Sequence, residues 1–138
     1  MKYLDELESL KLPVGKFAIF GSGPMAVRGI RESADLDIIV KQELWGELLG
    51  KYATYLHENP TCLRIGNIEI FKDWPNLADK INEMIDSAEI IAGFPYVQIG
   101  YVVEWKTKFG RKKDSEDLEL IRKYIDNQKQ GQKRQNID

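Results

Sequence analysis

Apolar residues along the chain recur at two spacings, one typical of helices and one typical of strands. Short apolar runs predict strands at 16–20, 35–40 and 68–71, and weaker strand-like runs lie within 54–65 and 88–97. Apolar residues three and four positions apart predict helices over 2–11, 25–30, 43–53, 76–86, 99–109 and 114–127. The resulting order of elements, α-β-α-β-α-β-β-α-β-α-α, indicates a single domain of the α+β or α/β class.

The end of the chain departs from this pattern. Residues 128–138 are polar and rich in Gln and Lys, and such a composition buries too little apolar surface to fold by itself. We therefore predict one folded domain over 1–127 and a disordered polar tail over 128–138. The basic residues between Lys129 and Arg134 favour a solubilising role, with RNA binding as the alternative.

Composition and charge narrow the classes of protein that fit. The chain has 138 residues, of which 43% are hydrophobic and 30% charged, as in domains that fold without disulfides or metal cross-links. The single cysteine, Cys62, excludes an internal disulfide and a cysteine-cluster metal site. The net charge of −2 gives no bulk signal for nucleic-acid binding. The apolar runs are too short to span a bilayer and residues 1–6 do not resemble a signal peptide, so we expect a cytoplasmic protein without a membrane partner.

A glycine turn and a pair of aspartates stand close together in the first half of the chain. The turn Gly21-Ser22-Gly23 follows the first predicted strand, and its bare backbone and serine hydroxyl can approach a phosphate. Asp35 and Asp37 lie two residues apart on the next strand and therefore point to the same face, roughly 7 Å apart at Cα. Paired carboxylates suit Mg²⁺, which takes oxygen ligands from carboxylates and substrate phosphates.

Each of these features has a plainer interpretation when it is taken alone. A Gly-Ser-Gly turn often only reverses the chain, and an Asp-x-Asp pair is often a solvated strand end. The run 21–26 also fits the dinucleotide fingerprint G-x-G-x-x-[G/A], but the helix after it is short and the acids begin the next strand. A P-loop is excluded, because no Gly-Lys-Ser/Thr follows at the required spacing. The turn and the pair together favour a site for phosphate and metal.

The segment from Phe20 to Val40 resembles the polymerase β-like nucleotidyltransferases, whose pattern is an hG[GS] turn, a short helix and a DxD strand. The later segment from Lys106 to Leu118 matches K-x4-R-x-KD-x2-D at every fixed position. That motif is typical of a small prokaryotic branch that includes the nucleotidyltransferases of abortive-infection toxin–antitoxin systems. The branch carries a third carboxylate on a later strand, and Glu69, between two isoleucines, is the match. The resemblance implies the nucleotidyltransferase fold, a small mixed β-sheet flanked by helices.

The resemblance also implies an activity. Members transfer a nucleotidyl group from a nucleoside triphosphate to a hydroxyl of RNA, a protein or a small molecule, and they release pyrophosphate. By the family pattern, Asp35, Asp37 and Glu69 are the catalytic and metal-binding residues, and two Mg²⁺ or Mn²⁺ ions are the cofactors. The residues that the pattern assigns to nucleotide binding are Gly21, Ser22, Lys106 and Arg111.

Some features leave alternatives open. The third acid is Glu69 instead of the commoner Asp, Pro24 follows the glycine turn, and we expect no additional helical domain after the late motif. A second function is therefore a toxin–antitoxin or other partner-binding module, encoded beside its partner, that binds nucleotide with little or no turnover. The late motif also fits a solvated helix surface with local ion pairs, capped by Asp114. The three tryptophans favour packing, with base stacking as the alternative; they are Trp45, Trp74 and Trp105.

Overall fold

Helices and strands follow the predicted order with two additional strands, because residues 56–71 form three strands instead of two and residues 89–96 form two instead of one. The computed structural model describes the backbone of residues 1–135 and the side chains of residues 1–131. The strands are β1 Phe17–Ile19, β2 Leu36–Val40, β3 Leu56–His57, β4 Cys62–Ile65, β5 Ile68–Phe71, β6 Glu89–Ile91 and β7 Phe94–Tyr96. The α-helices are α1 Leu4–Ser9, α2 Gly23–Val27, α3 Gln42–Lys51, α4 Ile81–Asp86, α5 Ile99–Phe109 and α6 Lys112–Gln135. Single 3₁₀ turns lie at Ala53–Tyr55 and Ala78–Lys80.

The strands form one mixed sheet of seven strands in the order β3-β4-β5-β2-β1-β7-β6. Strand β2 pairs antiparallel with β1 and parallel with β5. The prediction of a mixed sheet flanked by helices is confirmed at this level. None of the helices in the described part of the chain combines the length and the apolar composition that crossing a bilayer requires.

The side chains of β2 alternate between two hydrophobic clusters, one on each face of the sheet. Leu36, Ile38 and Val40 pack with apolar residues of α1 and α3. Ile39 packs on the other face with apolar residues of α4, α5 and α6. Because successive side chains of a strand point to opposite faces, Asp37 belongs to the same face as Ile39.

Helix α5 ends at a glycine, and the chain then turns into α6. Gly110 has φ +70° and donates its N–H to the Lys106 carbonyl at 3.0 Å, a left-handed helix end that favours glycine. Asp114 accepts a hydrogen bond from the Arg111 backbone N–H at 3.0 Å. Asp114 thus caps the start of α6, as predicted, but from a position inside the first turn of the helix. This is the contact that the acidic residue of a capping box makes.

The structure corrects the predicted end of the last helix. We expected the helix to stop at 127, whereas α6 continues to Gln135. Gln, Lys and Arg have favourable helix propensity, and a helix whose first turns pack on α5 extends through such residues at little cost. Residues 136–138 of the predicted tail lie outside the described residues, and so do the side chains of Lys133 and Arg134.

Candidate functional site

Three carboxylates meet at one end of strands β2 and β5. Asp35 directly precedes β2, Asp37 lies within it, and parallel pairing puts Glu69 of β5 opposite Asp37. Each of the three residues offers one carboxylate oxygen, and these three oxygens all lie within 4.8 Å of one another. The structure therefore brings together the three acids that the sequence singled out, and we call them the acid cluster.

Asp37 has the most perturbed environment in the acid cluster. Burial, and then the negative charges of Asp35 and Glu69, raise the pKa of Asp37 to about 7, against a smaller opposing effect of the positive charge of Lys113. Its Oδ1 atom is buried and accepts no hydrogen bond from the residues that the structure describes. A buried carboxylate oxygen without a partner is costly, so a bound cation would lower the energy of this arrangement.

The glycine turn lies against the acid cluster. The Phe20 N–H donates to the Asp37 carbonyl at 2.9 Å, which brings Gly21 beside the Asp37 side chain. Gly21 has φ +60°, and a Cβ at this position would lie 2.6 Å from Asp37 Oδ2. Both the backbone conformation and the close approach therefore require glycine here.

A chain of hydroxyl groups ties the turn to the segment before β2. Ser33 Oγ donates to the Asp35 carbonyl at 2.5 Å, and Ser22 Oγ lies 2.7 Å from Ser33 Oγ. Because Ser33 has a single hydroxyl proton, Ser22 is the donor between the two serines. The backbone N–H groups of Gly21 and Ser22 are not donors in any hydrogen bond among the described residues. The turn thus lies beside the acid cluster with two backbone donors that no described residue uses, and its serine hydroxyl is connected through Ser33 to the Asp35 carbonyl.

A second group of charged side chains joins the loop after α2 to the junction of α5 and α6. Lys106 Nζ lies 2.8 Å from Asp117 and 3.5 Å from Asp114. Arg31 lies 2.9 Å from Asp117, and Arg111 donates two side-chain hydrogen bonds to Asp114 at 2.8 and 3.0 Å. We call these five residues the ion-pair cluster.

The carboxylates of the ion-pair cluster are held in their charged form. Burial raises the pKa of Asp114, but the hydrogen bonds and positive charge of Arg111, together with the charge of Lys106, outweigh it and leave the pKa below its usual value. The pKa of Asp117 is lowered in the same way, since the hydrogen bonds and charges of Lys106 and Arg31 together exceed the effect of burial. The cluster therefore compensates its own charges.

Lys106, which the family pattern assigns to nucleotide binding, is buried between two carboxylates. Its side chain is 2% exposed and its ammonium is engaged by two carboxylates, so contact with a phosphate would require that these ion pairs open. The sequence did contain a signal for this burial. Lys106 stands four residues after Val102 and one after Trp105, the other buried residues of α5, which is the spacing of an inward helix face.

A cleft with a volume of about 700 Å³ opens beside the acid cluster. Its polar lining includes Asp37, Arg111 and Lys113, and its apolar lining includes Trp74, Trp105 and Phe109. Arg111 thus reaches the cleft, as the sequence assignment requires of a substrate contact. Lys113 is an additional cation of the cleft that the sequence assignment did not include. A smaller cavity of about 260 Å³ lies beside the loop that contains Arg31 and includes none of the three acids.

Comparison with known proteins adds no relative. No family model, curated protein or solved structure matches this chain. The arguments about function therefore depend on the motifs and on the geometry of the site.

Proposed function

We propose that the chain is a metal-dependent nucleotidyltransferase with the nucleotidyltransferase fold. In this proposal it transfers a nucleotidyl group from a nucleoside triphosphate to a hydroxyl acceptor. The observation that carries the proposal is the meeting of Asp35, Asp37 and Glu69 within 4.8 Å of one another. The glycine turn against them, and a neighbouring cleft that contains Arg111 and Lys113, add features that a triphosphate requires.

The donor set of the acid cluster fits Mg²⁺ or Mn²⁺. Carboxylate oxygens are the ligands that these hard cations prefer, and the unpartnered Oδ1 of Asp37 supplies one that no other described residue uses. When bound, divalent cations would polarise the reacting phosphate and lower the pKa of the attacking hydroxyl.

The cations of the cleft are suited to the triphosphate. Arg111 presents a planar guanidinium held by Asp114, and Lys113 adds an exposed ammonium near Asp37. Phosphate oxygens accept hydrogen bonds from both groups. We assign these two residues, with the backbone N–H groups of Gly21 and Ser22, to the triphosphate. Lys106 then has an indirect role, because its ion pairs hold Asp114 and Asp117 in place.

The reaction requires one bond to form and one to break. The acceptor oxygen bonds to the α-phosphorus, the bond from that phosphorus to the bridging oxygen of the β-phosphate breaks, and pyrophosphate leaves with the electron pair. We assign the proton of the acceptor hydroxyl to a carboxylate oxygen of Glu69, whose side chain is 26% exposed and thus open to an incoming acceptor.

Labelled substrates test this proposal. The protein is incubated with each α-³²P ribonucleoside triphosphate, with Mg²⁺ or Mn²⁺, and with tRNA or protein acceptors. We expect metal-dependent labelling that is lost in Asp35→Asn/Asp37→Asn. The matched control is Asp5→Asn/Asp79→Asn, which neutralises two exposed acids elsewhere and retains activity.

Two other outcomes have defined meanings. An absence of both transfer and metal-dependent nucleotide binding overturns the proposal. Metal-dependent binding without transfer, together with co-purification of a protein encoded nearby, favours the partner-binding module instead.

A further inference from the structure

The cleft beside the acid cluster has both a charged and an aromatic lining. It is lined by Asp37, Arg111 and Lys113 and by four aromatic side chains, Phe71, Trp74, Trp105 and Phe109. A phosphate chain requires cations and hydrogen-bond donors, whereas a heteroaromatic base gains from apolar surface and stacking. The two kinds of lining therefore suit the two ends of one nucleotide.

The aromatic lining of the cleft is rigid where it is buried. Trp74 and Trp105 are 6% and 8% exposed, and their rings meet edge to face with centroids 5.0 Å apart. Trp74 also packs on Phe71 and Phe20 at 5.1 and 4.7 Å. The tryptophans thus form a fixed wall and leave little of their own surface to a ligand.

Phe109 is the aromatic side chain that this wall leaves accessible. It is the last residue of α5 and is 40% exposed, so a substantial part of its surface is open to a ligand. The guanidinium of Arg111 lies 4.3 Å from its ring centroid, and Asp114 holds that guanidinium in place. Arg111 thus lies over one face of the ring, and the part of Phe109 that stays exposed is a stacking surface of the kind that nucleobases use.

We propose that the aromatic lining of this cleft binds the base of the nucleoside triphosphate, with the exposed part of Phe109 as its stacking surface and Arg111 directed to the phosphates. This inference rests on the proposed function, because the acid cluster determines which part of the cleft receives the phosphates. The volume of about 700 Å³ is within the range of sites that enclose a ligand of nucleotide size. A base at an acceptor terminus is the competing occupant, but the cations that neutralise a triphosphate lie in this same cleft.

Calorimetric titration with two probes tests the inference. The full chain in MgCl₂ is titrated with inorganic tripolyphosphate and with each of the four ribonucleoside triphosphates. We expect the preferred nucleotide to bind at least about tenfold more tightly than tripolyphosphate, since stacking on an aromatic side chain contributes roughly 5- to 150-fold. Phe109→Ala should remove most of this difference while leaving the affinity for tripolyphosphate unchanged.

Two variants serve as controls. Phe109→Tyr keeps the ring and should keep the affinity for nucleotide. Tyr55→Ala removes another exposed aromatic side chain, 46% exposed and outside this cleft, and should change neither affinity. Circular dichroism verifies that each variant is folded.

The outcomes separate the inference from the function. Equal affinities for nucleotide and tripolyphosphate in the unaltered protein, or an unchanged nucleotide affinity in folded Phe109→Ala, overturn the base site and leave the enzyme proposal standing. An absence of metal-dependent binding for both probes overturns the proposed function and, with it, the base site.

Discussion

The acid cluster and the ion-pair cluster use charge in opposite ways. The acid cluster gathers three carboxylates within 4.8 Å and raises the pKa of Asp37 to about 7, chiefly through burial. The ion-pair cluster combines three cations with two buried carboxylates and lowers the pKa of Asp114 and Asp117. The first therefore opposes folding until a cation binds, and the second stabilises the packing of α5 and α6.

This difference indicates what each cluster is for. Like charges kept close together without compensation lower stability, and proteins retain such arrangements mainly at functional sites. Buried charges that are paired hold two segments in one relative position. Removing one partner leaves the other charge buried and unpaired, which lowers stability. We therefore expect substitutions in the acid cluster to change activity, and substitutions in the ion-pair cluster to change stability.

The largest expected effect belongs to the third acid. Glu69→Gln removes one charged oxygen donor for metal, and we expect nucleotidyl transfer to fall by about 10³-fold, roughly 4 kcal/mol of transition-state stabilisation. Stability should not decrease, because the substitution relieves repulsion on Asp37. The assay is initial-rate transfer with urea unfolding alongside.

Arg64→Gln is the control for that variant. The Arg64 guanidinium lies 3.7 Å from Glu69 and is 46% exposed, so its removal should alter transfer by less than about threefold. If Glu69→Gln retained full activity, Glu69 would not be the third ligand.

The next largest effect is expected in the ion-pair cluster. Lys106→Met keeps most of the side-chain volume but leaves Asp114 and Asp117 without the buried ammonium, so we expect a loss of about 3 kcal/mol in unfolding free energy. Lys108→Met is the matched control on the same helix, since Lys108 is 49% exposed and lies 3.9 Å from Glu104. That change should cost less than about 0.5 kcal/mol. Similar values for the two variants in urea unfolding would contradict the comparison.

Two glycine-to-alanine variants, compared with each other, measure how closely the glycine turn and Asp37 pack. Gly29→Ala introduces only left-handed strain, because φ is +72° and nothing lies within 4 Å of the added Cβ. We expect it to cost about 1 kcal/mol. Gly21→Ala adds a contact at 2.6 Å with Asp37 Oδ2, so its cost should rise to about 2 kcal/mol and metal affinity should fall. Equal losses of stability for the two variants in thermal unfolding would show that the turn and Asp37 accommodate the added Cβ without further cost.

The smallest expected effect is a difference in pH dependence. The raised pKa of Asp37 means that the folded state keeps a proton that the unfolded state has lost. Its contribution to stability is therefore highest near pH 4 and falls as the pH rises towards 7. The lowered pKa of Asp117 has the opposite sign, since its contribution is present above pH 4 and is lost only below it.

Unfolding free energies between pH 4.5 and 8 test these signs. We subtract the unfolding free energy of Asp37→Asn from that of the unaltered protein. With solvent screening allowed for, this difference should decline by a few tenths of a kcal/mol per pH unit up to pH 7 and then level off. The corresponding difference in unfolding free energy for Asp117→Asn should stay constant over the same pH range. A slope that rises with pH in the Asp37 comparison is incompatible with a raised pKa.

Much of the fold followed from local patterns. The strands β3 to β7 fall within the predicted runs at 54–65, 68–71 and 88–97, because apolar alternation and turn residues act between near neighbours. Helix α6 was predicted too short, since polar residues with good helix propensity carry no apolar period. Lys106 was assigned to phosphate from the family pattern, which does not report burial, although its helical spacing indicated the buried face.

The sequence by itself determined the glycine turn, the shared face of Asp35 and Asp37, and the order of helices and strands. Each of these depends on residues a few positions apart. Only the tertiary structure decided that Glu69 lies opposite Asp37, that Lys106 is enclosed by Asp114 and Asp117, and that Phe109 and Arg111 border a cleft next to the acids. These contacts join segments far apart in the chain, and the packing of the whole sheet and its helices selects them, so no local pattern specifies them.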